Sequence, residues 1–399
     1  MDTSSRLRSA PPRTPAASSR LDWLDNLRIA LTVLVVIHHA AQPYGPADWW
    51  YVEGQPRTGA LATLSAVDGA FFMSLFFFVS AVFVPGSYDR SGARRFLTGR
   101  LLRLGLPLAV GALTIVPGLM YAYYVHYRAY PPISLPRYFT EVYLGFGERP
   151  ADWSGPSWPD LQFGHLWFIQ NLLAYGVLYV LCRQVARLVR SRGGRSLPVP
   201  GHGALLALTA AIAAATFLVR MRYPLDTWVP LLDFLQVEPA RLPQYVAFFT
   251  LGVLARRNHW LERFDARTGW VWLAGGLAGV ALLFAVGADA ACFGSGGFNG
   301  PSALWAASES ALCVALCVGL LALFRETVTR RTRLSAELAA DSYAVYIIHL
   351  PLVVTLQYYL SGRGLSATGA WAAVCTLALP AAFLTAAGLR RLPGFGRVL

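Results

Sequence analysis

Apolar stretches long enough to cross a bilayer recur along this 399-residue chain. That recurrence limits what it can fold into more than any single motif does. Crossing the hydrocarbon core takes roughly 17–25 residues of helix. Such stretches fall near 24–43, 62–84, 104–124, 165–182, 203–219, 241–255, 269–287, 302–324, 340–360 and 368–389, the sixth being the shortest. With no water in the core to satisfy free backbone groups, segments of this length have to be helical. The expectation is an all-α polytopic membrane protein, a bundle of about ten transmembrane helices. Composition agrees: 14% charged and 55% hydrophobic, against about 25% and 45–50% in soluble domains.

The net charge of +13 could suggest a nucleic-acid partner, but its distribution argues against one. All 34 basic residues are arginine, and they fall in short bursts between apolar runs. With the N-terminus placed inside, 26 of the 34 lie on the inner side, which is the positive-inside pattern with both termini cytoplasmic in the cell inner (plasma) membrane. Residues 1–20 are Pro/Ser-rich and basic and read as a disordered cytoplasmic tail. The transmembrane domain covers 21–390, and 391–399 form a second short tail. The first apolar run lacks a small-residue cleavage site and reads as an uncleaved anchor. Residues 125–164, rich in Pro, Tyr and Trp, suit an ordered outer loop that covers a site. The five cysteines show no metal spacing, and Cys313 with Cys317 reads as a buried inert pair. No metal site is expected.

Titratable groups inside spans are costly, so each one is a functional candidate. Arg28 and His39 are eleven residues apart, about 1100° of helix and about 16 Å along its axis, so they share a face. His38 points about 100° away. An arginine at the inner surface can grip phosphate groups, and a deeper imidazole can take a proton from a hydroxyl. The competing reading is that Arg28 pairs with Asp25 at the interface while His39 caps a polar helix end. His165, Glu309 and His349 also lie within spans, where structural hydrogen bonding stands beside catalysis as a role. Glu309 should face the bundle interior and orient a histidine. In the inner 90–103 segment, Arg94, Arg95, Arg100 and Arg103 form either a topology determinant against anionic lipid or a binding site for a phosphorylated donor.

Taken in order, Arg28 and His39, the stretches 70–108, HLWFIQNLL (165–173) and SYAVYIIHLPLV (342–353) resemble the integral-membrane acyltransferase family 3. The resemblance runs from about 21 to 390. Where that family has FVSG, this chain reads Phe78-Val79-Ser80-Ala81, and the added methyl narrows a close helix contact. The resemblance implies an acyltransferase with His39 as catalytic histidine and Arg28 needed for the acyl donor. The expected activity is transfer of an acyl group, acetyl or succinyl, from cytoplasmic acyl-CoA to a hydroxyl of a glycan or small-molecule acceptor. Acyl-CoA would be a co-substrate, with no bound cofactor. Arg94, Arg95, Arg100, Arg103 and His165 would contact substrate, and Glu309 and His349 would join His39 in catalysis. The rival class is a transporter or flippase of a polar or lipid-linked solute, which would also need titratable groups inside the membrane.

Overall fold

The computed structural model describes residues 21–45, 49–155, 157–188, 196–231, 235–287 and 296–397. The basic tail 1–20 and Cys292 lie outside them. The described residues are mostly helical: α1 (Asp22–Ala41), α2 (Gly59–Val82), α3 (Val84–Arg100), α4 (Leu106–His126), α5 (Trp167–Leu188), α6 (His202–Arg220), α7 (Leu242–Arg257), α8 (Ala266–Val286), α9 (Gly300–Thr327), α10 (Arg333–Leu360) and α11 (Ala367–Arg391). Among the described residues, nine helical stretches are long and apolar enough to cross a membrane. The sixth expected span is the exception. It forms α7, whose 16 residues cover about 24 Å, short of a hydrocarbon core of about 30 Å. A short helix is tolerated here because one face of α7 is pressed against α2.

Helix ends are set locally. Asp265, Asn299, Thr332 and Ser366 cap α8, α9, α10 and α11, each side chain accepting from the backbone N–H three residues on. Segment 90–103, expected as an inner loop, is helical instead. It breaks at Gly92, whose φ of 73° favours glycine, and runs through a π-turn at Leu101–Gly105 into α4. Its arginines therefore hang from a helix surface.

The centre of the bundle is α2, enclosed by α1, α7 and α9. The narrow contact anticipated at Ala81 is made with Gly252 of α7. A side chain on Gly252 would come within 2.4 Å of the Phe78 carbonyl and 2.8 Å of the Ala81 methyl. The small residue that lets the two backbones approach thus stands on the facing helix. On the other side, Ala370, Val374, Ala378, Ala382 and Ala386 of α11 form a small-residue seam at four-residue spacing in the core it shares with α10.

The described residues of loop 125–164 are tied together by buried polar bonds. Arg128 meets Asp160 at 3.2 Å, and the Tyr138 hydroxyl donates to Asp160 at 2.7 Å. The Arg128 guanidinium also lies over Trp153, 4.3 Å from the ring centre. Burial raises the Asp160 carboxyl above its ordinary pKa, although Arg128 and Tyr138 oppose that shift.

Candidate active site

His39 lies two residues before the end of α1, where an imidazole can reach back to the carbonyl one turn earlier. Its Nδ1 is 3.0 Å from the Val35 carbonyl and 3.0 Å from Nε2 of His349, on α10. His349 is fully buried, and its own Nδ1 lies 3.1 Å from the Val345 carbonyl and 2.8 Å from the Tyr346 carbonyl. Carbonyl oxygens only accept, so the proton of His349 sits on Nδ1 and its Nε2 is an acceptor. His39 must then carry its proton on Nδ1 to serve both neighbours. The lone pair of His39 is left on Nε2, in a residue that stays partly exposed. The arrangement fixes one tautomer through hydrogen bonds to fixed backbone.

Further contacts hold the pair in place. Gln357 of α10 donates to the carbonyls of His39 and Ala40 at 3.1 and 3.2 Å, and accepts from the Trp50 indole at 2.7 Å. The Trp50 ring lies nearly parallel to the His39 ring, with centres 6.2 Å apart. His165, just before α5, packs edge-on against His349 at 5.6 Å. Its Nε2 donates to the Ile347 carbonyl at 2.9 Å. In a regular helix that carbonyl would accept from residue 351, but Pro351 has no N–H. The freed carbonyl is what His165 satisfies. The Tyr346 hydroxyl closes the loop by donating to the His165 carbonyl.

The structure thus brings together His39, His349 and His165, three histidines from separate spans. It leaves the arginines elsewhere. Arg28 lies on the same α1 face about 16 Å along the axis, donating to the Ala339 carbonyl at 2.9 Å and pairing with Asp25 at 3.1 Å. Arg94, Arg95 and Arg103 are exposed, and Arg100 lies over the Phe96 ring at 5.2 Å. One face of α10 links both regions: the Ala339 carbonyl to Arg28, the Tyr343 hydroxyl to the Arg103 carbonyl at 2.8 Å, and then Tyr346, His349 and Gln357.

Glu309 corrects an expectation. It is buried, as anticipated, but its carboxylate is held by Arg220 and by Arg241, whose Nε is 3.4 Å away. Two guanidinium groups neutralise the charge that was expected to orient a histidine. Sequence reasoning passed over Trp50, Tyr346, Gln357 and Asp68. Asp68 carried a readable signal, being the sole charged residue of α2. Its Oδ2 lies 3.7 Å from Nδ1 of His38. Among the described residues, no three His, Cys, Asp or Glu side chains are grouped to hold a metal ion.

Against known families, residues 21–387 match the model of a family described as an acyltransferase domain, acyltransferase family 3. The chain belongs to that family. Membership makes it a membrane acyltransferase, with an acyl donor and an acyl acceptor as its two substrates. No curated protein and no solved structure matches it. For an acyltransferase of family 3, the Arg28 and His39 positions fall inside the matched region, as do the three clustered histidines.

Proposed function

We propose that this acyltransferase moves an acetyl or succinyl group from cytoplasmic acyl-CoA to a hydroxyl of a glycan or small-molecule acceptor, with His39 as the base. The observation that carries the proposal is the hydrogen bonding of His39 Nδ1 to His349 Nε2, which leaves the His39 Nε2 lone pair free.

The acceptor hydroxyl gives its proton to His39 Nε2 as its oxygen attacks the thioester carbonyl carbon. The C–S bond of the resulting tetrahedral adduct then breaks, and the CoA thiolate leaves with the proton that the imidazolium returns. His349 and His165 act by position, the first holding the His39 tautomer and the second holding α10 around Pro351. Arg28 meets donor phosphates at the inner end together with Arg94, Arg95, Arg100 and Arg103. Eleven residues of α1, about 16 Å, separate Arg28 from His39, a distance an extended pantetheine arm covers. Glu309 takes no part in the chemistry.

The test uses washed membranes holding wild type or His39→Ala, given acetyl-CoA labelled in the acetyl group. Free CoA release is followed, with label entering glycan or small-molecule fractions. Label captured by wild type and not by His39→Ala supports the proposal. Equal capture by both removes His39 from the chemistry. A solute carrier would release no CoA at all.

A further inference from the structure

Acyl transfer to a hydroxyl has a competitor, because water can stand in for the acceptor at the same base. Water attacking the thioester carbonyl carbon gives its proton to His39 Nε2, the C–S bond breaks, and the products are a free carboxylic acid and the CoA thiol. The imidazole takes a proton from either oxygen. Closing a site against bulk water is what suppresses such a side reaction. His39 is partly exposed, so this task falls to the side chains around it.

Trp50, in the connection between α1 and α2, stands against the base. Its ring makes an angle of 22° with the His39 ring, with centres 6.2 Å apart. Trp50 is only 5% exposed, with Tyr51 edge-on against it at 5.1 Å and Trp49 at 5.8 Å. Tyr123 of α4 meets Trp49 and Tyr51 at 5.9 and 6.2 Å, so rings from two elements form one apolar shell beside the base. The shell gives water little to hold. An ordered water needs roughly two to four polar partners, and the polar atoms here are engaged with one another. The Trp50 indole donates to Gln357 Oε1, the Gln357 amide donates to the His39 and Ala40 carbonyls, and His349 Nε2 accepts from His39 Nδ1. Gln357 is fully buried, and it ties the Trp50 ring to the backbone of the residue beside it. We propose that Trp50 is a specificity residue that screens His39 from water, so that the acyl group passes to an acceptor hydroxyl, and that Gln357 is the residue that positions it. This rests on the acyl-transfer reading above and deepens it.

The experiment supplies acetyl-CoA labelled in the acetyl group to washed membranes holding wild type, Trp50→Leu, Trp50→Phe or Gln357→Met. Labelled acetate measures transfer to water, and label held in the glycan or small-molecule fractions measures transfer to hydroxyls. Both are corrected for the amounts formed by His39→Ala membranes. In Trp50→Leu the ratio of acetate to captured label should rise by about tenfold or more, equivalent to about 1.36 kcal/mol of lost discrimination. Trp50→Phe keeps a ring without the N–H and should raise the ratio by about 2- to 10-fold, the usual net contribution of one hydrogen bond. Gln357→Met leaves Trp50 in place without its anchor and should give a rise of the same order. A role confined to packing lowers both products together, so an unchanged ratio in Trp50→Leu overturns the inference. A rise in Trp50→Leu with none in Gln357→Met overturns the part given to Gln357. If Trp50→Leu fails to elute as a monodisperse species in detergent, Trp50→Phe and Gln357→Met carry the comparison, and an unchanged ratio in both overturns it. Wild type that captures label while the ratio never moves defeats this inference alone. Wild type that releases no CoA defeats the acyl-CoA reading itself, and the screening role falls with it.

Discussion

Nε2 of His349 stands 3.0 Å from Nδ1 of His39, joining helices whose contacting residues are 310 positions apart. Replacing His349 with alanine removes the partner that aligns the His39 ring and fixes its proton. Transfer should fall roughly 10²- to 10⁴-fold, the range for losing a tautomer-fixing group. His349→Gln offers an amide oxygen for the same N–H and should keep more activity than His349→Ala. Steady-state CoA release measures both. Wild-type rates in His349→Ala would remove the tautomer argument.

The carbonyl of Ile347 ties Pro351 to His165 in one energetic account. His165→Ala strands that buried carbonyl and should destabilise by about 1–3 kcal/mol. In a Pro351→Ala background the helix supplies its own N–H, so the same change should cost less. Thermal unfolding of the four proteins in one detergent gives the coupling between the two sites. Additive effects would mean that His165 does not stand in for the missing helical bond.

Glu309 is the buried carboxylate that meets Arg220, and it shares Arg241 with Glu238, which lies 2.9 Å from that guanidinium. Glu309→Gln should destabilise the bundle by about 3–5 kcal/mol, the usual cost of removing one member of a buried ion pair. Loss of stability should precede any specific effect on catalysis. A Glu309→Gln protein with wild-type unfolding temperature and no activity would restore this residue to the chemistry.

Asp160 makes loop 125–164 sensitive to pH. Burial raises its folded pKa above the ordinary carboxylate value of about 3.9, so the folded loop holds the proton more tightly than the open chain does. The loop is therefore most stable at low pH, and its stability falls as pH rises from about 4 through the raised value. Amide hydrogen exchange across 138–153, corrected for intrinsic rates, should show greater protection at about pH 4.5 than at about pH 7.5. Asp160→Asn should flatten that difference.

The helical architecture was legible because each span carries its own signal in local hydropathy, and α7 misled only by being shorter than a bilayer. The candidate site was legible residue by residue. His39, His165 and His349 each stand out as titratable groups in apolar runs. Their mutual contact was not legible, because it depends on how α1, α10 and the start of α5 pack. Glu309 shows the limit most plainly. Its burial could be inferred from its span, but Arg220 and Arg241 lie 89 and 68 residues away, and nothing local couples them to it. The Gly252 contact with Ala81 is similar, a compensation visible only once two helices are laid together. Asp68 is different in kind: a lone carboxylate in an otherwise uncharged span is a sequence signal, and it was there to be read.

Arg28 meets the Ala339 carbonyl, and His39 meets His349, so α1 and α10 are joined by two cross-links like the rungs of a ladder. The interval is eleven residues on one rail and ten on the other, about 16 Å and about 15 Å. A slip of either helix by one turn would break both rungs at once. The fold therefore holds a gauge of fixed length between its arginine-rich end and its paired imidazoles. For a carrier arm anchored at one end and reacting at the other, two stiff helices set the reach, and no loop is needed to measure it.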